Sequence, residues 1–183
     1  MQKLAAIEIQ DGQPSATVLD AVAQALQAEG IVVAGYLQRK LSQEGNTISN
    51  TVLEDIETGE QFGIMQALGA SAASCRLDTG ALADIAGRTI ERLERLERPA
   101  DVLILNRFGK AEAEGHGLRA ALEMAIDRDI PVLTLVASTY LQAWRDYVGE
   151  MATSLPPVAA VAWYRPLTVT PFVENLSPPG GLA

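Results

Sequence analysis

The sequence predicts a three-layer α/β domain: a mostly parallel sheet with helices on both faces and a small antiparallel hairpin inserted at one side. Three observations carry this. Short apolar runs without polar alternation, the clearest at residues 101–106 and 131–137, have the character of strands buried on both faces. Between them lie longer runs whose apolar residues recur at helical spacing. Strand and helix patterns alternate from the start of the chain, which calls for right-handed crossovers and places ligands at the carboxyl ends of the strands.

Residues 3–9 read as the first strand, and residues 16–29 follow as a helix with Val18, Leu19, Val22 and Leu26 on one side and Gly30 closing it. The β-branched run 31–37 completes a βαβ unit. Residues 47–53 and 61–65 alternate in short pieces around Glu57-Thr58-Gly59-Glu60, so the hairpin insert is expected between about residues 40 and 66. Asp78 is positioned to cap a helix over 79–97, with Leu82, Ile85, Thr89, Leu93 and Leu96 as its stripe. Glu91 with Arg95 and Glu94 with Arg98 form four-residue charge pairs, and Pro99 stops the helix. After the strand 101–106 comes a loop, then a helix over 117–128 with Leu118, Ala121, Leu122 and Ala125 inward. The strand 131–137, a helix over 140–148 carrying Trp144, and a last strand over 158–164 complete a single domain spanning 1–165. Residues 166–183, rich in Pro and Gly, form a tail.

A chain of 183 residues buries one substantial core, and nothing in its composition marks a second. Cys75 is the only cysteine, so no disulfide or cysteine-rich metal cluster forms within one chain and a reducing, cytoplasmic compartment is expected. The first residues have neither the length nor the cleavage pattern of a signal peptide, and no run approaches a membrane span. A net charge of −9 spread over both halves argues against nucleic acid and anionic membranes as partners. A cleft on an acidic protein can still be positive, so the location of its few cations matters.

Three loops at the expected ligand-bearing end hold the candidate residues: 10–15, 68–78 and 106–116. The first, Gln10-Asp11-Gly12-Gln13-Pro14-Ser15, sits where a phosphate-binding loop would. Such a loop needs several glycines, a lysine and a hydroxyl. Here Gly12 is the one glycine, no lysine is present, and Asp11 opposes phosphate, while Ser15 offers a hydroxyl or a helix cap. In the third loop, Asn106-Arg107-Phe108-Gly109-Lys110 sets two cations beside a glycine at a strand end. Arg107 can grip an oxyanion bidentately and Lys110 adds a point charge, or Arg107 pairs with Glu112, Glu114 or Asp78 to hold the loop.

In the second loop, Arg76 and Cys75 lie at the entry to the helix that Asp78 caps, where an anion is favoured. A cysteine in such a place is as readily a small buried side chain as a ligand. His116, the only histidine, could join Glu112 and Glu114 in a metal site or an acid–base pair, and a solvated helix start would use the same residues.

With these residues in view, the chain resembles an uncharacterised bacterial family related to P-loop nucleoside-triphosphatases and often associated with molybdate uptake. The resemblance runs from the first strand to about Glu150 and rests on Gly35-Tyr36-Leu37-Gln38, Gln66-Ala67-Leu68-Gly69, Cys75-Arg76-Leu77-Asp78, Asn106-Arg107-Phe108-Gly109-Lys110, Glu112, Gly115, Gly117-Leu118, Pro131-Val132-Leu133 and Trp144. In the related triphosphatases the strand equivalent to 102–106 ends in Asp-Glu, which serves magnesium and water. Asn106-Arg107 stands there instead, while Gly109-Lys110 and Glu112 match. The resemblance therefore implies a degenerate P-loop fold that contacts an anion directly, with molybdate or tungstate as the implied ligand. The expected ligand-binding residues are Arg76, Arg107, Lys110, Asn106, Ser15, Cys75 and Gln38, supported by Asp78, Gly109, Glu112 and Gly12.

Two other functions are open to the same residues. One is a divergent triphosphatase using Asp11, Glu112 or Glu114 for magnesium. The other is a protein-interaction module with Phe108, Trp144 and Trp163 as aromatic anchors, although core packing accounts for the tryptophans equally well, or a homodimer built on an exposed edge strand of the insert or an apolar patch on the last helix.

Overall fold

The computed structural model describes residues 2–10, 16–41, 50–66 and 76–168. In chain order its elements are β1 (Leu4–Ile9), α1 (Ala16–Ala28), β2 (Val33–Leu41), β3 (Asn50–Asp55), β4 (Gln61–Gly63), β5 (Met65–Gln66), β6 (Arg76–Leu77) and α2 (Thr79–Glu94). They continue with β7 (Val102–Phe108), α3 (Lys110–Ala113), α4 (Arg119–Asp127), β8 (Val132–Ala137), α5 (Leu141–Val148), β9 (Ala152–Leu155) and α6 (Ala160–Thr168). The main sheet has the order β4-β3-β2-β7-β8-β1-β9, parallel from β2 to β9 and antiparallel at β2–β3 and β3–β4.

Period-two alternation sorts the strand side chains between two cores. Ala5, Ile7, Val102, Ile104, Leu133 and Leu135 point to one face, where Leu19, Val22 and Leu26 of α1 and Ala160, Trp163 and Tyr164 of α6 cover them. Leu4, Ala6, Leu103, Leu105, Val132 and Val136 point to the other, under Leu82, Ile85 and Leu93 of α2, Leu122 and Ala125 of α4, and Trp144 and Val148 of α5. The three-layer arrangement expected from the sequence is the observed one.

Several boundaries differ, each for a physical reason. β2 runs to Leu41 rather than ending at Leu37, because its second half leaves β7 and pairs with β3, Tyr36 opposite Asp55 through Leu41 opposite Asn50. The expected insert therefore extends the edge of the main sheet, with β2 as its first arm, and only β5–β6 forms a separate pair. α2 begins under its Asp78 cap, whose Oδ1 accepts from Ala81 N–H at 3.0 Å, but it ends at Glu94. Leu96 is consequently 85% exposed and belongs to no stripe. Glu94 faces Arg128 at 3.6 Å and Arg98 faces Glu57 at 3.4 Å, so the within-helix Glu94–Arg98 pair gives way to contacts with other elements. Residues 158–164 are not a strand. Ala160, Trp163 and Tyr164 are buried at helical spacing in α6, and the strand is the short β9 before them. α6 also carries the chain to Thr168, past the expected start of the tail, and residues 169–183 lie outside the described residues.

Two tyrosines record this packing. Burial first, then the nearby Asp55, pushes the Tyr36 hydroxyl up to about 12, and burial first, then Asp101, does the same to Tyr164. An unfolded tyrosine loses its proton near pH 10. Between about pH 10 and 12 the native chain therefore holds protons that the unfolded chain has released, and stability falls as pH rises through that window. Ultraviolet titration of tyrosinate should show Tyr36 and Tyr164 ionising late, and substituting Phe at either should remove one late group. Tyr36 and Tyr164 ionising near pH 10 would contradict this packing.

Candidate functional site

The site begins with a glycine. Gly35 holds φ at +122°, and a Cβ there would lie 2.0 Å from the backbone oxygen of Ile104. Only glycine lets β2 approach β7 this closely. Their pairing stops there: Val33, Ala34 and Gly35 align with Val102, Leu103 and Ile104, and beyond them the chain leaving β2 turns towards β3 while that leaving β7 goes on to β8. A crevice opens at the carboxyl ends of two adjacent strands whose connections diverge, the place where open α/β sheets receive ligands.

β7 contributes a second irregularity. Its register with β8 shifts between Leu105 and Phe108, and Phe108 lies in the same core as Leu103 and Leu105, although simple alternation would send it to the opposite face. The bulge changes the parity of the strand and turns Asn106 and Arg107 towards the crevice. The strand thus runs past Asn106, its expected last residue, and takes in Arg107 and Phe108 from the expected loop.

Asn106, buried at 7% exposure, spans the gap to β2. Its Oδ1 accepts from the Gln38 backbone N–H at 3.1 Å, and its Nδ2 donates to Gln38 Oε1 at 3.2 Å. These bonds define both amides. A backbone N–H can only donate, so the atom facing it is the Asn106 oxygen, and the atom meeting Asn106 Nδ2 must be the Gln38 oxygen. Gln38 Nε2 is left as a donor at the crevice.

Gln38, Asn106, Arg107, Gly109, Lys110 and Glu112 line one cavity of about 270 Å³, together with Tyr140, Ala111, Leu53, Ile64, Leu77, Leu82 and Leu118. Sequence reasoning did not find Tyr140 or the leucine wall. The signal for Tyr140 was its place just after β8, at another strand's carboxyl end.

Residues 106–116 are also more ordered than a loop. Glu112, at 7% exposure, accepts from Gly109 N–H through Oε2 and from Leu118 N–H through Oε1, both at 3.0 Å. It is the third residue of the short α3, and its carboxylate ties the start of that helix to the start of α4. A Cβ at Gly117 would stand 2.3 Å from Glu112 Oε1. Both oxygens thus accept backbone N–H bonds, and the side chain joins the two helix starts. Glu114 turns outward to Lys110 Nζ at 3.8 Å, and no group of three or more His, Cys, Asp or Glu side chains, His116 included, gathers among the described residues. Gly109 matters through its N–H, since a Cβ there would make only ordinary contacts.

Asp78 is spent as the α2 cap, and the Arg76 backbone pairs with Gln66. Gly12, Asp11, Ser15 and Cys75 lie outside the described residues. Phe108, Trp144 and Trp163 are buried at 1%, 2% and 8%, with Phe108 edge-on to Trp144 at 5.1 Å, so they are core residues and not the docking anchors considered above.

This architecture is the P-loop nucleoside-triphosphatase type of α/β fold. It superposes on the solution structure of a human cancer-related nucleoside triphosphatase with a TM-score of 0.64 and 12% identity over 91% of this chain and 97% of that one. For THEP1 from the hyperthermophile Aquifex aeolicus the TM-score is 0.57, with 14% identity over 90% and 96% of the two chains. The chain itself belongs to the family described as protein of unknown function DUF2478, which it matches over residues 4–163. It is also 34% identical over 151 residues to the molybdenum import ATP-binding protein ModC 2 of Bradyrhizobium diazoefficiens. That match covers 81% of this chain but 16% of the relative, so the chain spans about one sixth of that protein's length. Among the described residues no helix is long and apolar enough to cross a membrane.

Proposed function

We propose that this protein binds an oxyanion, free or carried by a phosphorylated ligand, at the crevice between β2 and β7, without turnover, as an accessory of molybdenum metabolism. The observation that carries the reading is the Gln38–Asn106 amide pair, which presents a donor to a cavity also lined by Arg107 and Lys110. Arginine supplies a fork of donors matched to an oxyanion, and lysine adds charge that is screened where exposed. Glu112, the acid in that lining, already accepts two backbone N–H bonds, which supports binding over metal-assisted hydrolysis. The name of the ModC 2 relative makes molybdate and tungstate the first anions to test.

The test is calorimetric titration with molybdate, tungstate, sulfate, phosphate and ATP with magnesium, together with an assay for released phosphate. Saturable binding of an oxyanion should fall at least tenfold in Arg107→Ala. It should also weaken in Asn106→Asp, where Gln38 turns its amide to donate to the new carboxylate and offers its oxygen to the cavity. Metal-dependent phosphate release would favour the triphosphatase alternative instead. Absence of heat with every anion would sink the oxyanion reading.

A further inference from the structure

The crevice is lined by a few polar groups and by several large apolar side chains, and this make-up narrows what can fill it. Its polar groups include Gln38 of β2, Arg107 of β7 and Lys110 of α3, with Ala111 and Leu118 next to them in the lining. On the β3 side stand Leu53, Ile64 and Leu82, all at 5% exposure or less, with Leu77 at 39% exposure at the mouth. Polar and apolar lining meet where Gln38 is paired directly across β2–β3 with Leu53. A water occupies about 30 Å³ of liquid, so about 270 Å³ is room for roughly nine water-sized atoms, about twice what a four-oxygen anion fills. A bare dianion would leave the rest as water against leucines, and the leucines can replace none of its hydration.

We infer that the ligand is an organic phosphate whose apolar, ring-sized body lies on the leucine wall while its anionic head meets Gln38, Arg107 and Lys110. This rests on the oxyanion reading above and specifies what carries the oxyanion. Pockets for organic ligands have this make-up, a mostly apolar lining with a few convergent polar groups. Each methylene-sized unit withdrawn from water strengthens binding about fourfold, so even a partly buried ring outweighs the head group's loss of freedom.

The test compares phenyl phosphate with inorganic phosphate, molybdate and phenol by calorimetry on the full chain. Phenyl phosphate is expected to bind at least tenfold more tightly than either inorganic anion, and phenol to bind far more weakly than phenyl phosphate. Leu77→Gln, at a half-exposed position whose change spares the core, should lower phenyl phosphate affinity about three- to fivefold and leave inorganic phosphate unchanged. Inorganic phosphate or molybdate binding as tightly as phenyl phosphate would overturn the organic ligand and leave the oxyanion site standing. Binding of no anion would overturn both, and phenol binding as well as its phosphate would overturn the assigned head-group contacts.

Discussion

Gly35→Ala is expected to destabilise the protein by about 2–6 kcal/mol, combining overpacking of about 1–3 kcal/mol with backbone strain of similar size. The added methyl would sit 2.0 Å from the Ile104 oxygen and 2.9 Å from its carbonyl carbon. Both are backbone atoms of a central strand held between β2 and β8, so neither can rotate away as a side-chain end would. Gly59→Ala separates the two contributions. Gly59 has φ +73°, and a methyl added there would meet nothing within 4 Å, so strain alone should cost about 1–2 kcal/mol. Urea unfolding of both variants checks the prediction. Equal losses at the two positions would mean that close approach of β2 to β7 carries no energetic weight. The separation of the strands also sets the reach of Asn106 to Gln38, so surviving Gly35→Ala protein should bind anions more weakly than the parent.

The central layers were legible in the sequence because buried parallel strands leave a strong signal. Runs such as Val102-Leu103-Ile104-Leu105 have few other uses in a chain of this composition. The edge was harder to read. Ala152-Thr153-Ser154-Leu155 is short and half-buried and so looks like a turn, while aromatic and β-branched residues at 158–164 imitate a strand although their burial follows helical spacing. At α2 the apolar stripe continued to Leu96, but the last intrahelical turn yields to a contact between Arg92 Nη1 and the Arg98 carbonyl at 3.0 Å.

For the site, position was legible and orientation was not. Placement at a strand's carboxyl end singled out Asn106, Arg107 and Lys110, and the family resemblance singled out Gln38. That Asn106 bonds Gln38 depends on alignment between strands 68 residues apart, and that Arg107 turns towards the crevice depends on a bulge which leaves no local mark. The leucine wall draws Leu53 from β3, Ile64 from between β4 and β5, Leu77 from β6 and Leu82 from α2, and of these only Leu82 stood in a core-facing stripe of the sequence. Glu112 was expected both as a supporting residue and as a metal candidate, and its two backbone bonds could not be read from sequence because they belong to a closed turn and not to its sequence neighbours.

Glu112→Ala is the second substitution with a large expected effect, about 3 kcal/mol. The carboxylate meets two buried N–H groups, each costing about 1–3 kcal/mol when orphaned, and water entering the vacated space recovers part of that loss. Glu112→Gln keeps one acceptor and sets its amide group against the other N–H, so it should cost less than alanine but remain measurable. Gly117→Ala attacks the same contact from outside, since its methyl would meet Oε1 at 2.3 Å and its backbone sits at φ +62°. The two alanine substitutions should therefore be non-additive, the double variant losing less than the sum of the singles, because the carboxylate that the methyl displaces is already gone. Amide exchange supplies the direct readout: Gly109 and Leu118 should lose protection in Glu112→Ala while the β8 amides keep theirs until global unfolding. Unchanged exchange at Gly109 and Leu118, with a stability loss under about 0.5 kcal/mol, would refute the structural role and return Glu112 to the candidates for metal chemistry. If the role holds, weakened anion binding in this variant follows from displacement of Gly109 and Lys110, and added magnesium should not restore it.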